Sequence, residues 1–174
     1  PIPLPRVRRE VLAITRGLAG KVRTMEELLV ELDVHREAGR TIVLTNGCFD
    51  VVHAGHVAYL RDARACGDVL VVAVNGDAEV RRQKGEGRPI HALDDRLEVI
   101  AEFASVDYVV SFDEPTADEV IRAVKPDLYV KGGDYEPESI NEYPLLRELG
   151  IEVRVLTHRL GLSSTNIVER MHEG

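Results

Sequence analysis

The chain has no tryptophan, only two cysteines and few aromatic residues, and each shortage closes off a class of explanation. Cys48 and Cys66 are too few for a disulfide scaffold and lack a C-x-x-C partner for a structural metal, so both read as free thiols of a reducing compartment. No apolar run approaches the roughly 18 residues that a membrane helix requires, because charged side chains interrupt every one. The basic stretch 1–9 is not followed by the apolar segment and cleavage site of a secretory signal. A soluble, cytoplasmic protein is the expectation. Basic residues are also in deficit, 22 against 30 acidic, and the net charge of -8 argues against a general nucleic-acid binder, whose footprint is basic. An anionic small substrate stays compatible if cations gather locally, and His53, His56, Lys84, Arg88 and Lys131 are the candidates.

What is present fits one ordinary domain: 174 residues, 44% of them apolar and 30% charged. Residues 6–18 place Val7, Val11, Leu12, Ile14 and Leu18 at helical spacing. Thr24, with Glu27 three positions later, starts a second helix that stops at Gly39. A helical extension over 1–39 and a main domain over 40–174 follow from this. Beyond residue 40, short aliphatic runs at 41–45, 69–74, 108–110, 128–130 and 151–156 alternate with helical stretches at 55–65, 94–104, 116–124, 144–149 and 163–171. Such runs are strands buried on both faces, and the βα alternation predicts a mainly parallel five-stranded sheet with helices on both sides. Residues 81–93, rich in Gly, Arg, Lys and Pro, read as a mobile loop over a site, and 132–141 as a second irregular stretch at the same end of the sheet.

Residues 45–56, TNGCFDVVHAGH, join the first strand to a helix starting near Gly55. Backbone N–H groups and the dipole of a helix N-terminus favour an anion, and Gly47 and Gly55 permit close backbone approach. His53 and His56, three apart, face the same way on the first turn. That combination is a phosphate cradle. Capping or core histidines are the alternative, and position directly after a buried strand weighs against them. Zinc lacks a third ligand nearby in sequence. Lys84 and Arg88 on a Gly-flanked loop suit a triphosphate, one as a point charge and the other as a fork; a solvated surface loop is the alternative. Lys131 ends a buried strand, where a charge needs a ligand or an ion pair, with Asp134 or Glu136 as candidate partners. Ser163, Ser164 and Thr165 open the last helix and serve either as caps or as phosphate ligands. Asp94 or Asp95 suits a helix start. Cys48 reads as a small packed residue with nothing basic beside it.

These motifs resemble the HxGH nucleotidyltransferases, and within them the cytidylyltransferase-like branch, which writes GxFD before HxGH and carries a C-terminal Ser/Thr-rich motif matched by residues 161–167, GLSSTNI. The stretches VNGD at 74–77, KGEGRP at 84–89, Asp95-Arg96, VDYVV at 106–110 and KGGDY at 131–135 look like the adenylyltransferases that make ADP-heptose, freestanding or as the C-terminal half of a bifunctional kinase-transferase. The resemblance spans 21–171 and implies a Rossmann-like, doubly wound α/β fold. It implies transfer of AMP from ATP to a heptose 1-phosphate by in-line attack at the α phosphate, with pyrophosphate leaving. His53, His56 and Lys84 would carry catalysis. Thr45, Asn46, Gly47, Phe49, Gly55, Lys131, Gly132, Ser163, Ser164 and Thr165 would hold the nucleotide and its phosphates. Asn75, Asp77, Arg88, Asp134 and Tyr135 would meet the second substrate, with Asp95 and Arg96 bracing from behind. Magnesium would be held mainly by the triphosphate, and a homo-oligomer, a dimer for preference, is expected. A related cytidylyltransferase acting on another alcohol or sugar phosphate, or a nucleotide-binding module without chemistry, is the alternative.

The chain departs from the pattern in two places. Residues 136–144, EPESINEYP, replace the usual Gly-containing continuation and are expected against the sugar. His158 stands where related cytidylyltransferases have an arginine, with Arg159 next, so that contact is not carried over.

Overall fold

The computed structural model describes residues 20–134 and 136–157. The expected helices at 6–18 and 163–171, and with them Ser163, Ser164 and Thr165, lie outside the described residues, as does Tyr135. Helix α1 (Met25–Glu37) begins on the reciprocal cap read from the sequence. The Glu27 N–H donates to Thr24 Oγ1 at 3.3 Å, and the Thr24 N–H donates to Glu27 Oε2 at 2.9 Å.

Five strands follow: β1 (Ile42–Gly47), β2 (Val69–Asn75), β3 (Tyr108–Phe112), β4 (Leu128–Gly132) and β5 (Glu152–Leu156). Their order is β3-β2-β1-β4-β5 and every pairing is parallel, so the sheet is wholly parallel where the sequence predicted mainly parallel. The helices α2 (Ala54–Arg64), α3 (Asp77–Lys84), α4 (Leu93–Ala101), α5 (Asp118–Val124) and α6 (Tyr143–Glu148), with a 3-10 turn at Pro137–Ser139, supply the crossovers.

Strand periodicity of two sorts the aliphatic side chains into two cores. Ile42, Leu44, Val71 and Ala73 face the layer containing Leu28 and Leu32 of α1, Val120 and Ile121 of α5, and Leu145 and Leu146 of α6. Val43, Leu70, Val72 and Val74 face Tyr59 and Leu60 of α2 and Leu97 and Ile100 of α4. Every residue of β2 is buried, which is why the strand reads as an unbroken apolar run; β5, at the edge, exposes Glu152 and Arg154. Among the described residues, no helix is long and apolar enough to cross a membrane.

One element departs from expectation. Residues 81–84, read as the start of a mobile loop, are the last turn of α3. Gly76 is its N-cap, Asp77 and Glu79 lie in the first turn, and Val80 is the apolar side chain that anchors it. A helix held by one buried aliphatic residue has no periodicity to reveal it.

Candidate active site

The order β3-β2-β1-β4-β5 reverses direction between β1 and β4, and open parallel sheets bind ligands outside the carboxyl ends of their strands at such a point. A cavity of about 590 Å³ opens there. The expected residues Asn46, Gly47, Phe49, His56, Asn75, Lys84, Lys131 and Gly132 converge on it from β1, β2, β4 and the helices that follow.

His53 is the N-cap of α2, and its Nδ1 accepts the Gly55 N–H at 3.1 Å. His56 reaches back, its Nδ1 accepting the His53 N–H at 3.3 Å. A nitrogen that accepts carries no proton, so each neutral ring is the tautomer with its proton on Nε2. The rings lie against each other with centroids 4.0 Å apart and planes tilted by 42°, and Phe49 buttresses His56 at 5.4 Å. Capping and phosphate recognition, weighed above as alternatives, use different nitrogens of the same imidazoles. Gly47 leaves room beside them: a Cβ there would lie 3.1 Å from the Phe49 ring and push it by a few tenths of an ångström.

Lys131 Nζ donates to Asn46 Oδ1 at 2.7 Å, and the Tyr129 hydroxyl donates to the same oxygen at 2.6 Å. Two donors on Oδ1 fix the Asn46 amide. The carboxylate opposite Lys131 is Glu142, 3.9 Å away, rather than Asp134 or Glu136. Burial pulls the Lys131 amine below its ordinary value, and the Glu142 charge opposes that pull. Lys84 sits at the end of α3 with Arg82 and Gln83, all three on the cavity wall. Cys48 is surrounded by Lys84, Arg96 and Lys131, contrary to the sequence reading that nothing basic lies near it. Burial still outweighs those cations and pushes the thiol up, so it stays protonated at neutral pH.

Two buried ionic groups hold the loops. Asp50, fully buried, accepts the Arg88 Nε–H at 2.5 Å and the N–H groups of Ile90 and His91 at 2.7 and 3.1 Å. Residues 88–91 are thereby tied to the loop that carries His53 and His56. Burial alone would raise the Asp50 carboxyl, but the hydrogen bonds from His91, Arg88 and Ile90 prevail and hold it below the usual carboxylate range. A depressed folded value stabilises the fold fully above the unfolded value, about 3.9, and that contribution is lost as pH falls through the folded value. Acid unfolding followed by circular dichroism should therefore show the Asp50→Asn chain less stable at neutral pH, with the gap from the unmodified chain closing below about pH 4. A gap that persists unchanged into acid would count against this assignment.

Arg96 is the second tie. Only 1% exposed, it donates from Nη1 to the Cys48 carbonyl at 2.5 Å, from Nε to the His91 carbonyl at 3.1 Å and from Nη2 to Asp77 Oδ1 at 2.7 Å. Asp77, expected against substrate, is thus engaged with Arg96, and Arg88 with Asp50. Neither lines the cavity, nor do Asp95 and Asp134, which are exposed, or Gly55, which is buried in α2; His53 too lies off the cavity wall, half-buried beside His56, which does line it. Thr45, expected at the phosphates, is fully buried, its hydroxyl 2.6 Å from that of Tyr59, which donates to the Val130 carbonyl at 3.1 Å. Thr45→Val should destabilise the fold by about 1 kcal/mol in urea titration and leave nucleotide affinity within about twofold. A selective loss of nucleotide affinity would return Thr45 to the phosphates.

The sequence reading missed Tyr59, Arg82, Gln83 and Pro115, which also line the cavity, whereas residues 139–142, part of the stretch 136–144 expected against the sugar, do reach its wall. For 139–142 the one signal was the departure from the family pattern. Among the described residues, no group of three or more His, Cys, Asp or Glu side chains could hold a metal.

A parallel sheet whose switch point opens on a histidine-capped helix start and a lysine-lined cavity defines an α/β nucleotidyltransferase-type domain. Residues 44–170 match the Cytidylyltransferase-like family, and the chain belongs to it. It is 53% identical over 150 residues to the Bifunctional protein HldE of Alkalilimnicola ehrlichii, covering 86% of this chain and 31% of that protein. With the Bifunctional protein HldE of Alcanivorax borkumensis the identity is 44% over 173 residues, 99% of this chain and 36% of the relative. The chain thus spans about a third of the length of these relatives. A solved structure, the lipopolysaccharide core biosynthesis protein from Thermoplasma volcanium, is similar with a TM-score of 0.58 and 31% identity, over 70% of this chain and 98% of that one.

Proposed function

We propose that this chain is an adenylyltransferase that transfers AMP from ATP to a heptose 1-phosphate, giving ADP-heptose and pyrophosphate. The observation that carries the reading is the adjoining His53–His56 pair at the start of α2, each Nδ1 already taken by a backbone N–H. Such rings donate from Nε2, which is what a phosphate with growing negative charge requires. The similarity to HldE and the KGGDY and KGEGRP stretches support the heptose and ATP assignments.

The nucleophile is a phosphate oxygen of the sugar, already ionised at neutral pH, so no general base is needed. Catalysis reduces to alignment and charge neutralisation. The α phosphate lies at the N-terminus of α2, where His53 and His56 stabilise charge as the new P–O bond forms and the bond to pyrophosphate breaks. Lys84 and Arg82, at the end of α3, neutralise the departing pyrophosphate. Lys131, held by Asn46 and Glu142, provides a cation of fixed position on the opposite strand. The cavity presents cations, amides and a single carboxylate, Glu142, set against Lys131, which suits a magnesium ion carried by the triphosphate itself rather than by a carboxylate cage. Such an ion supplies further charge neutralisation when bound.

The test is to incubate the chain with heptose 1-phosphate, magnesium and either ATP or CTP, following pyrophosphate release and the nucleotide sugar. ADP-heptose formed with ATP in clear preference to CTP is the expected result. Turnover confined to CTP and another alcohol phosphate, or triphosphate binding without turnover, would overturn it.

A further inference from the structure

The two walls of the cavity come from opposite faces of the sheet. Phe49 and Tyr59 belong to the core beneath α2, whereas Ile140 belongs to the core on the other face. The α2 wall, continued by Lys84 and Arg82, is cationic. The facing wall is Pro115 and residues 139–142, a serine, an isoleucine, an asparagine and a glutamate, with no cation among them.

Glu142 sets the character of that second wall. It is only 5% exposed, and its Oε1 lies 3.9 Å from Lys131 Nζ and 3.5 Å from the Ala117 N–H. It therefore joins the segment after β4 to the loop after β3 and offsets the Lys131 charge. A phosphate brought against this wall meets a carboxylate in a poorly solvated place, where like charges repel strongly. Neutral hydroxyl donors meet an acceptor there. Ser139 adds a hydroxyl and Asn141 an amide that both donates and accepts, the chemistry that recognises a polyol.

We propose that Ser139, Asn141 and Glu142 form the acceptor-recognition wall, reading the hydroxyl groups of a sugar phosphate while the Glu142 carboxylate turns its phosphate toward the cationic side. The inference rests on the reading of the chain as a sugar-phosphate nucleotidyltransferase and names the residues that select the sugar. It also gives the reaction its polarity: two anionic substrates share one cavity, and a carboxylate at one end allows one orientation of the acceptor.

The experiment is calorimetric titration of the unmodified, Asn141→Ala and Glu142→Gln chains, first with a non-hydrolysable ATP analogue and then with heptose 1-phosphate in its presence. Asn141 is exposed, so its replacement leaves the fold intact, and Glu142→Gln keeps the shape and an acceptor for the Ala117 N–H. Both variants should bind heptose 1-phosphate about tenfold more weakly, the loss of one hydrogen bond to a polar partner, with the analogue affinity of Asn141→Ala within about twofold. Unchanged heptose 1-phosphate affinity in both variants, or an equal loss for the analogue in Asn141→Ala, overturns the proposal. If the unmodified chain binds the analogue but not heptose 1-phosphate, the heptose reading fails separately. The same titrations with glycerol 3-phosphate and ribitol 5-phosphate then decide the wall: a loss in Asn141→Ala for either upholds it, and no loss, or no binding of either, overturns it.

Discussion

His56→Ala should lower kcat by about 10² to 10³-fold, the usual effect of removing one donor aimed at charge that develops in the transition state. The substitution also strips the His53 N–H of its partner, and a lost cap weakens a helix by about 1 kcal/mol. A glutamine control separates the two effects. Gln at the third helical position reaches back to the N-cap N–H in a reciprocal cap, so His56→Gln should restore stability. It does not restore an imidazole Nε2 donor, so activity should stay low. Urea titration and initial rates on the three chains check this directly. Activity that recovered along with stability would make His56 a cap and nothing more.

Arg96→Met should be the most destabilising single change in the site region. The guanidinium is almost wholly buried and supplies donors to the Cys48 carbonyl, the His91 carbonyl and Asp77. Methionine fills similar space but leaves two backbone carbonyls without donors and Asp77 without its cation, a combined loss of about 3 kcal/mol. Activity should fall as well, because Arg96 fixes both the strand-to-helix loop before His53 and residue 91 beside it. Lysine should not rescue: one ammonium on a flexible stem cannot reach three acceptors that a planar fork spans. Chemical denaturation gives the first quantity and kcat at saturating substrate the second. A stable, inactive Arg96→Met chain would instead place Arg96 in contact with substrate.

The parts of the molecule that were legible in its sequence are those where one physical rule dominates. β2 is buried on both sides and appears as an unbroken aliphatic run; Thr24 and Glu27 form the cap their spacing predicts. His53 and His56 were legible because a strand, a glycine turn and a helix start surround them. Helix α3 was not, since Val80 alone anchors it, and Lys84 was placed on a loop in consequence. Asp50 and Thr45 lie inside the most recognisable motif of the chain, yet both turn into the protein, one toward Arg88 and the other toward Tyr59. A strand end alternates its side chains between ligand and core, and a motif does not record which residue does which. What Glu142 pairs with was hidden for another reason: its partners Lys131 and Ala117 are 11 and 25 residues away, beyond any local pattern.

The central claim is that a nucleoside triphosphate lies at the switch point with its α phosphate on the His53–His56 pair. A structure of the chain with a non-hydrolysable ATP analogue and heptose 1-phosphate tests it most directly. The account predicts α phosphate oxygens within about 2.7–3.2 Å of the Nε2 atoms, the outer phosphates toward Lys84 and Arg82, and the sugar hydroxyls against Asn141 and Glu142. A triphosphate bound away from the two histidines, or one whose phosphates point at Glu142, would contradict it.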